Sequence, residues 1–129
     1  MRGDILIIGN HHRRAAEGIV RHILPGIINK EGKFFITIAG ESGAGKSEID
    51  YALEGMLEKL KIKSHIIQQD DYFVFPPKTN ERMRIIDINR VGPQEVKLDL
   101  LNENISELLS GKTMIVKPLV IFEEYRITT

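Results

Sequence analysis

The chain has 129 residues, enough for one globular domain with its own core, and every apolar run is shorter than the roughly 20 residues that cross a bilayer. Its 18 basic and 18 acidic residues cancel, so the net charge predicts no polyanionic partner such as nucleic acid. There is no cysteine, which excludes disulfides, thiolate zinc sites and cysteine nucleophiles, and the N-terminus lacks a secretory signal, so we expect a cytoplasmic protein.

The first segment is predicted to form a short strand followed by an amphipathic helix. Residues 5–8 are apolar, and Asn10 is a suitable cap for a helix whose apolar positions recur up to Leu24. Pro25-Gly26 is predicted to end this helix. The basic cluster from His11 to Arg14 contains two adjacent histidines, which point about 100° apart on a helix and make a poor metal pair. We interpret that cluster as a solvated helix start.

A phosphate-binding loop follows. Residues 40–47 read GESGAGKS and match the pattern G-x-x-x-x-G-K-[ST]. The preceding run FFITIA, residues 34–39, predicts a strand that is covered on both faces of a parallel sheet. Apolar residues then recur at helical spacing from Ile49 to Leu60, which predicts a helix that starts near Lys46. The alternative is an ordinary glycine-rich turn between a strand and a helix.

The loop residues have separate predicted roles. The glycines and Ala44 allow the backbone N–H groups to point inward, towards an anion at the positive end of the helix. Lys46 is the predicted catalytic cation on the β and γ phosphates, and Ser47 is the predicted magnesium ligand. The expected cofactors are ATP or GTP with Mg²⁺. The predicted nucleotide-binding residues are Gly40, Glu41, Ser42, Gly43, Ala44, Gly45, Lys46 and Ser47.

Residues 62–69 predict a second strand, with Asp70 at its carboxyl end. In an open parallel sheet ligands bind at that end, so we expect Asp70 to face the same crevice as the loop. The alternative is that Asp70 only caps the following turn. The two prolines within residues 75–80 predict an irregular segment that covers the substrate.

The last third of the chain predicts one more helix and one more strand. Residues 85–88 are expected to be extended, and a helix is expected from Pro93 to Ser110, before Gly111. Leu119 to Phe122 is apolar enough for a strand, but the preceding Pro118 excludes it from the uninterrupted centre of a sheet.

From about Phe34 to Arg126 the chain resembles the uridine kinase and phosphoribulokinase family of P-loop kinases. That family combines the phosphate loop with a QDxFY-like segment, a proline-containing stretch, a helix that ends in LL-x-G-K and a P-x-x-x-F turn. The matching segments here are residues 40–47, 69–73, 93–101, 108–112 and 118–122.

The resemblance implies a three-layer α/β fold of the P-loop NTPase type with a mainly parallel sheet. It also implies transfer of the γ-phosphate of ATP or GTP to a hydroxyl group of a small molecule. Asp70 would accept the proton of that hydroxyl, as phosphoryl transfer requires. Asp70, Tyr72 and Arg126 are the predicted substrate contacts.

Two departures from the family pattern limit this expectation. Gly92-Pro93-Gln94 stands where related nucleoside kinases carry His-Pro-Asp, so uridine is not the expected substrate. The chain ends at Thr129, before the acidic-ended strand and the arginine-rich lid of the family, so the sheet is expected to be incomplete at the C-terminus. An exposed sheet edge would favour a homo-oligomer.

Two alternatives therefore stay open. Glu123 follows an apolar run and is a candidate Walker B acid for magnesium, although the family alignment places this stretch in a turn near the substrate. The protein as a whole is either a small-molecule kinase or a nucleotide-binding regulatory module with slow NTPase activity. In both cases we expect a single domain over residues 1–129, with residues 1–33 as an N-terminal extension and residues 34–129 as the nucleotide-binding core.

Overall fold

A computed structural model of the chain describes residues 5–41 and 43–118. The predictions for Ser42, Leu119 to Phe122, Glu123 and Arg126 lie outside these residues. Short 3-10 turns are present at Gln69–Tyr72, Ile88–Arg90 and Pro93–Glu95. Among the described residues no helix is long and apolar enough to cross a membrane. The α-helices within the two ranges are α1 (Asn10–Asn29), α2 (Lys46–Lys59), α3 (Pro77–Ile86) and α4 (Leu98–Leu109).

The predicted three-layer α/β fold with a mainly parallel sheet is wrong for the part of the chain that the structure describes, which contains helices and no strand. Residues 5–8, 34–39 and 62–68 are non-helical, but no ladder of backbone hydrogen bonds joins them. A β-branched run becomes a strand only when a partner lies about 4.8 Å away, and such pairing depends on long-range context. Phe35 is 54% exposed rather than covered on both faces. The sheet edge that favoured a homo-oligomer is therefore not seen in these ranges.

The chain divides into two compact units, of which the first is Ile5–Ile66. Its core lies between α1 and α2, whose predicted apolar faces meet there. The two alanines in this core take little space, which lets the helices approach closely. The buried core residues are Ala16, Val20, Ala52, Leu53 and Leu57. The half-buried residues around them include Ile8, Ile19, Ile23, Leu24, Ile27, Ile36, Ile38, Met56 and Ile62.

Helix α1 continues through Pro25 to Asn29, so the predicted helix end is wrong. Proline removes one hydrogen-bond donor from a helix and crowds the preceding turn, yet its φ angle is helical. Ile27, beyond the proline, packs against the core of the first unit. We attribute the longer helix to this apolar contact, which local sequence rules do not include.

The second unit is described over residues 67–118. Tyr72 is fully buried, and its hydroxyl accepts a hydrogen bond from Asn104 Nδ2 of α4 at 2.7 Å. The same nitrogen donates to the carbonyl oxygen of Val116 at 3.2 Å. An isolated antiparallel bridge joins Phe73 to Val96. Together these contacts fix the turn at Gln69–Tyr72 against α4.

Three local predictions in this unit are wrong. The proline-rich stretch does not stay irregular, because α3 begins at Pro77, and proline is well suited to the first position of a helix. Residues 85–88 are not an extended run, because α3 includes Ile86 and a 3-10 turn starts at Ile88. The helix expected from Pro93 begins only at Leu98, after a separate 3-10 turn.

A buried carboxylate holds α3 to the turn at Pro93–Glu95. Glu95 is 7% exposed, and both of its oxygens accept hydrogen bonds from the Arg84 guanidinium. Asn80 Nδ2 donates to Oε2 at 2.8 Å, and the Gly92 backbone N–H donates to Oε1 at 2.8 Å. The hydrogen bonds from Arg84 and then Gly92 favour the charged form and lower the pKa of Glu95 to about 2, whereas its burial acts in the opposite direction. Sequence reasoning did not find this cluster.

Replacing Glu95 with glutamine should make the protein less stable at neutral pH and its stability less sensitive to acid. The pKa of Glu95 is about 2 in the folded state against an ordinary value of 4.5. A lowered carboxylate pKa stabilises the fold fully above about pH 4.5, and this contribution is lost as the pH falls towards 2. Thermal unfolding between pH 7 and pH 2 tests this. Glu103→Gln, at an exposed position of α4, is the matched control, and an equal acid dependence of E95Q and wild type would contradict the prediction.

Candidate functional site

The predicted phosphate loop lies in the first unit, and its described residues have a backbone geometry that suits an anion. Gly43 and Gly45 have φ angles of 80° and 88°, a left-handed conformation that glycine adopts readily. The Ala44 N–H donates to the carbonyl oxygen of Glu41 at 3.1 Å and closes the turn. Helix α2 begins at Lys46, and its first turn supplies N–H groups that have no intrahelical acceptor, at the positive end of the helix. This arrangement suits phosphate oxygens.

Lys46 lies across the loop that precedes it. Its Nζ atom donates to the carbonyl oxygen of Gly40 at 2.6 Å and to that of Glu41 at 2.8 Å. The ammonium group is therefore positioned by main-chain atoms of the loop itself. A phosphate group bound to the loop would offer this cation stronger, charged acceptors. The predicted role of Lys46 on the β and γ phosphates stays a prediction.

Asp50 is a neighbour of Lys46 that sequence reasoning missed. It lies four residues after Lys46 in α2, on the same face of the helix. Burial raises the pKa of Asp50 above its ordinary value, and the positive charge of Lys46 opposes this rise. The sequence did contain a signal for this pair, because Lys46 and Asp50 are four residues apart in a predicted helix.

Ser47 follows Lys46 in the first turn of α2 and is half-buried. Its hydroxyl is a hard oxygen donor of the kind that Mg²⁺ accepts beside the phosphate oxygens of a nucleotide. The residues present thus fit a magnesium-bound nucleotide: a glycine-rich backbone, a helix N-terminus, a lysine and a hydroxyl.

The two neighbouring acids in the second unit differ in their surroundings. Asp70 is exposed, whereas Asp71 is buried and accepts a hydrogen bond from Lys117 Nζ at 2.7 Å. Burial alone would raise the pKa of Asp71, but the bond and the charge of Lys117 help to bring it below its ordinary value. Asp71 is thus buried and held in an ion pair with Lys117. Asp70 is accessible from solvent, as contact with a substrate requires.

The predicted site residues belong to different parts of the structure. The loop lies in the first unit, and Asp70 and Tyr72 lie in the second. Because Tyr72 is fully buried, a direct contact with a substrate requires this region to open, and its position favours a packing role. Ser42 and Arg126 lie outside the described residues, so their predicted contacts stay predictions.

A cavity of about 70 Å³ lies in the second unit, beside the segment Gly92-Pro93-Gln94. This volume is enough for a few water molecules. The expectation that uridine is not the substrate stays a prediction. The lining residues of the cavity are Val74, Phe75, Asn80, Met83, Arg90, Gln94 and Glu95.

The chain matches a known protein family. The model of the phosphoribulokinase/uridine kinase family matches residues 35–127, most of the chain. The matched range includes the whole phosphate loop and Asp70, and it excludes α1. No curated protein and no solved structure matches the chain significantly.

Proposed function

Because the chain belongs to the phosphoribulokinase/uridine kinase family, as its motifs predicted, we propose that it transfers the γ-phosphate of ATP or GTP to a hydroxyl group of a small molecule. The observation that carries this proposal is the phosphate loop, with its two left-handed glycines and the Lys46 ammonium held across it. We also place this reaction in the cytoplasm, which the cysteine-free composition fits.

In the proposed reaction the substrate oxygen attacks the γ-phosphorus, and the bond from that phosphorus to the bridging oxygen of the nucleoside diphosphate breaks. The hydroxyl proton moves to the carboxylate of Asp70, which is exposed. The loop N–H groups hold the phosphates, and the Lys46 ammonium stabilises the charge that develops on the transferred group. Bound Mg²⁺, with Ser47 as its protein ligand, would supply further charge neutralisation.

The second candidate is a nucleotide-binding regulatory module or a slow NTPase. The segment Gly92-Pro93-Gln94 favours it, because the family's nucleoside kinases carry other residues there. In this case the loop binds and slowly hydrolyses a nucleotide, with water in place of the hydroxyl acceptor.

Replacing Asp70 with asparagine should leave nucleotide binding unchanged and lower phosphate transfer by at least about 100-fold. Asparagine cannot accept the hydroxyl proton, and general bases contribute about 10²- to 10⁴-fold to the rate. Calorimetry with MgATP and MgGTP measures binding, and ADP or GDP release over a panel of alcohols, sugars and nucleosides measures transfer. Asp99→Asn, at an exposed position in the first turn of α4, is the control.

The same measurements separate the two candidates. If ADP or GDP release depends on an acceptor and is lost in D70N, the result supports the kinase. Nucleotide binding with only acceptor-independent hydrolysis, unchanged in D70N, supports the module. If wild type binds neither nucleotide, both candidates are wrong.

A further inference from the structure

One histidine of the N-terminal helix lies against the phosphate loop. His12 is half-buried in the first turn of α1, and its Nδ1 accepts a hydrogen bond from the backbone N–H of Gly9 at 3.0 Å. In a neutral imidazole the nitrogen that accepts such a bond carries no proton, so the proton lies on Nε2. The ring is fixed further by His11, whose ring centroid is 3.8 Å away.

The contact with the loop is close. A Cβ atom placed on Gly45 would lie 3.1 Å from His12 Nε2 and 3.4 Å from Cδ2. The imidazole therefore occupies the space in front of the Gly45 Cα atom, and its N–H faces the residue that caps α2. Among the described residues no acceptor is paired with Nε2.

This contact joins the N-termini of two long helices. Each helix N-terminus carries a partial positive charge of roughly half an elementary charge, so two of them side by side repel each other. The first turn of α1 contains no acid. The first turn of α2 contains Glu48, whose Oε2 would lie 4.0 Å from the same Cβ position on Gly45 and offsets part of the positive potential. An anion bound at the loop would offset the remaining positive potential.

We infer that His12 is a further phosphate-binding residue, which donates its Nε2–H to a phosphate oxygen of the nucleotide held by the loop. The inference rests on the proposed function, because it requires that the loop at residues 40–47 binds a nucleotide. Helix α1 lies outside the range that the family model matches, so this donor is an addition from the chain's own N-terminal extension. The interpretation of the cluster from His11 to Arg14 as a solvated helix start did not include it.

A purely structural role for His12 makes a different prediction. His12 stands at the third position of α1, where a glutamate or glutamine side chain commonly accepts the N–H of the capping residue. If capping were its only role, His12→Glu would conserve it. If His12 binds phosphate, His12→Glu removes the donor and adds a negative charge at the site, whereas His12→Gln conserves both the cap and a donor.

The test is calorimetric titration of wild type, H12E and H12Q with MgATP. We expect H12E to bind at least about 10-fold more weakly, as the loss of one hydrogen bond to a charged group implies, and H12Q to bind within about threefold of wild type. His22→Glu, at an exposed position of α1, controls for the added charge. Unfolding temperatures of the variants verify that each is folded.

A second measurement needs no substitution. With ¹⁵N-labelled histidine, the His12 Nε2 resonance should shift on addition of MgATP while the His22 resonances do not. If H12E binds MgATP with the same affinity as wild type, or if the His12 resonance does not shift, the inference is wrong. Either result leaves the proposed function intact. An equal loss in H12E and H12Q would also overturn it. Absence of binding by wild type would instead reject the proposed function.

Discussion

Replacing Lys46 with alanine should lower the rate of phosphate transfer by at least about 100-fold. The Lys46 ammonium is held across the loop by the carbonyl oxygens of Gly40 and Glu41. A cation in that position stabilises the negative charge of the transferred phosphoryl group, and removal of one such preorganised group typically costs about 10²- to 10³-fold in rate. Single-turnover transfer with saturating MgATP measures the chemical step directly.

Two further variants show that the effect belongs to this position. Lys59→Ala removes an equal charge from an exposed position at the other end of α2 and should leave the rate unchanged. Lys46→Arg should not restore the rate, because a planar guanidinium cannot replace a compact ammonium between two carbonyl groups. Transfer by K46A within threefold of wild type would remove Lys46 from the mechanism.

Replacing Leu53 with alanine should lower the free energy of unfolding by about 2–5 kcal/mol, the usual cost of such a truncation in a packed core. Leu53 is 5% exposed and lies in the core between α1 and α2, so few groups can move into the space it leaves. Urea unfolding followed by circular dichroism measures this free energy. Leu60→Ala removes the same atoms from a side chain that is 48% exposed and should cost well under half as much. A cost below about 1 kcal/mol for L53A would show that the two helices do not share a tight core.

The local features that the sequence predicted well are those with a short-range cause. Helix α2 begins at Lys46, as predicted, because the glycine-rich loop and the apolar period are both contained in a few neighbouring residues. The left-handed Gly43 and Gly45 agree with the bending that the motif requires. The resemblance to the kinase family was confirmed over residues 35–127.

The features that were missed depend on contacts between distant residues. A mainly parallel sheet was predicted, but only pairing converts apolar runs such as residues 34–39 into strands. The Glu95 cluster joins residues up to 15 positions apart in the chain. The contact between His12 and Gly45 joins α1 to α2, and neither residue carries a local signal for it. Pro77 was interpreted as a helix breaker, although the same restricted φ angle favours the first position of a helix.

The bonds from Lys46 to two backbone carbonyls have a consequence for the cost of ordering this side chain. The Lys46 side chain already lies over Gly40 and Glu41, so its rotamer freedom is restricted before any ligand arrives. In the proposed complex the ammonium group exchanges these two carbonyl acceptors for charged phosphate oxygens. We therefore expect Lys46 to lose little conformational entropy when a nucleotide binds.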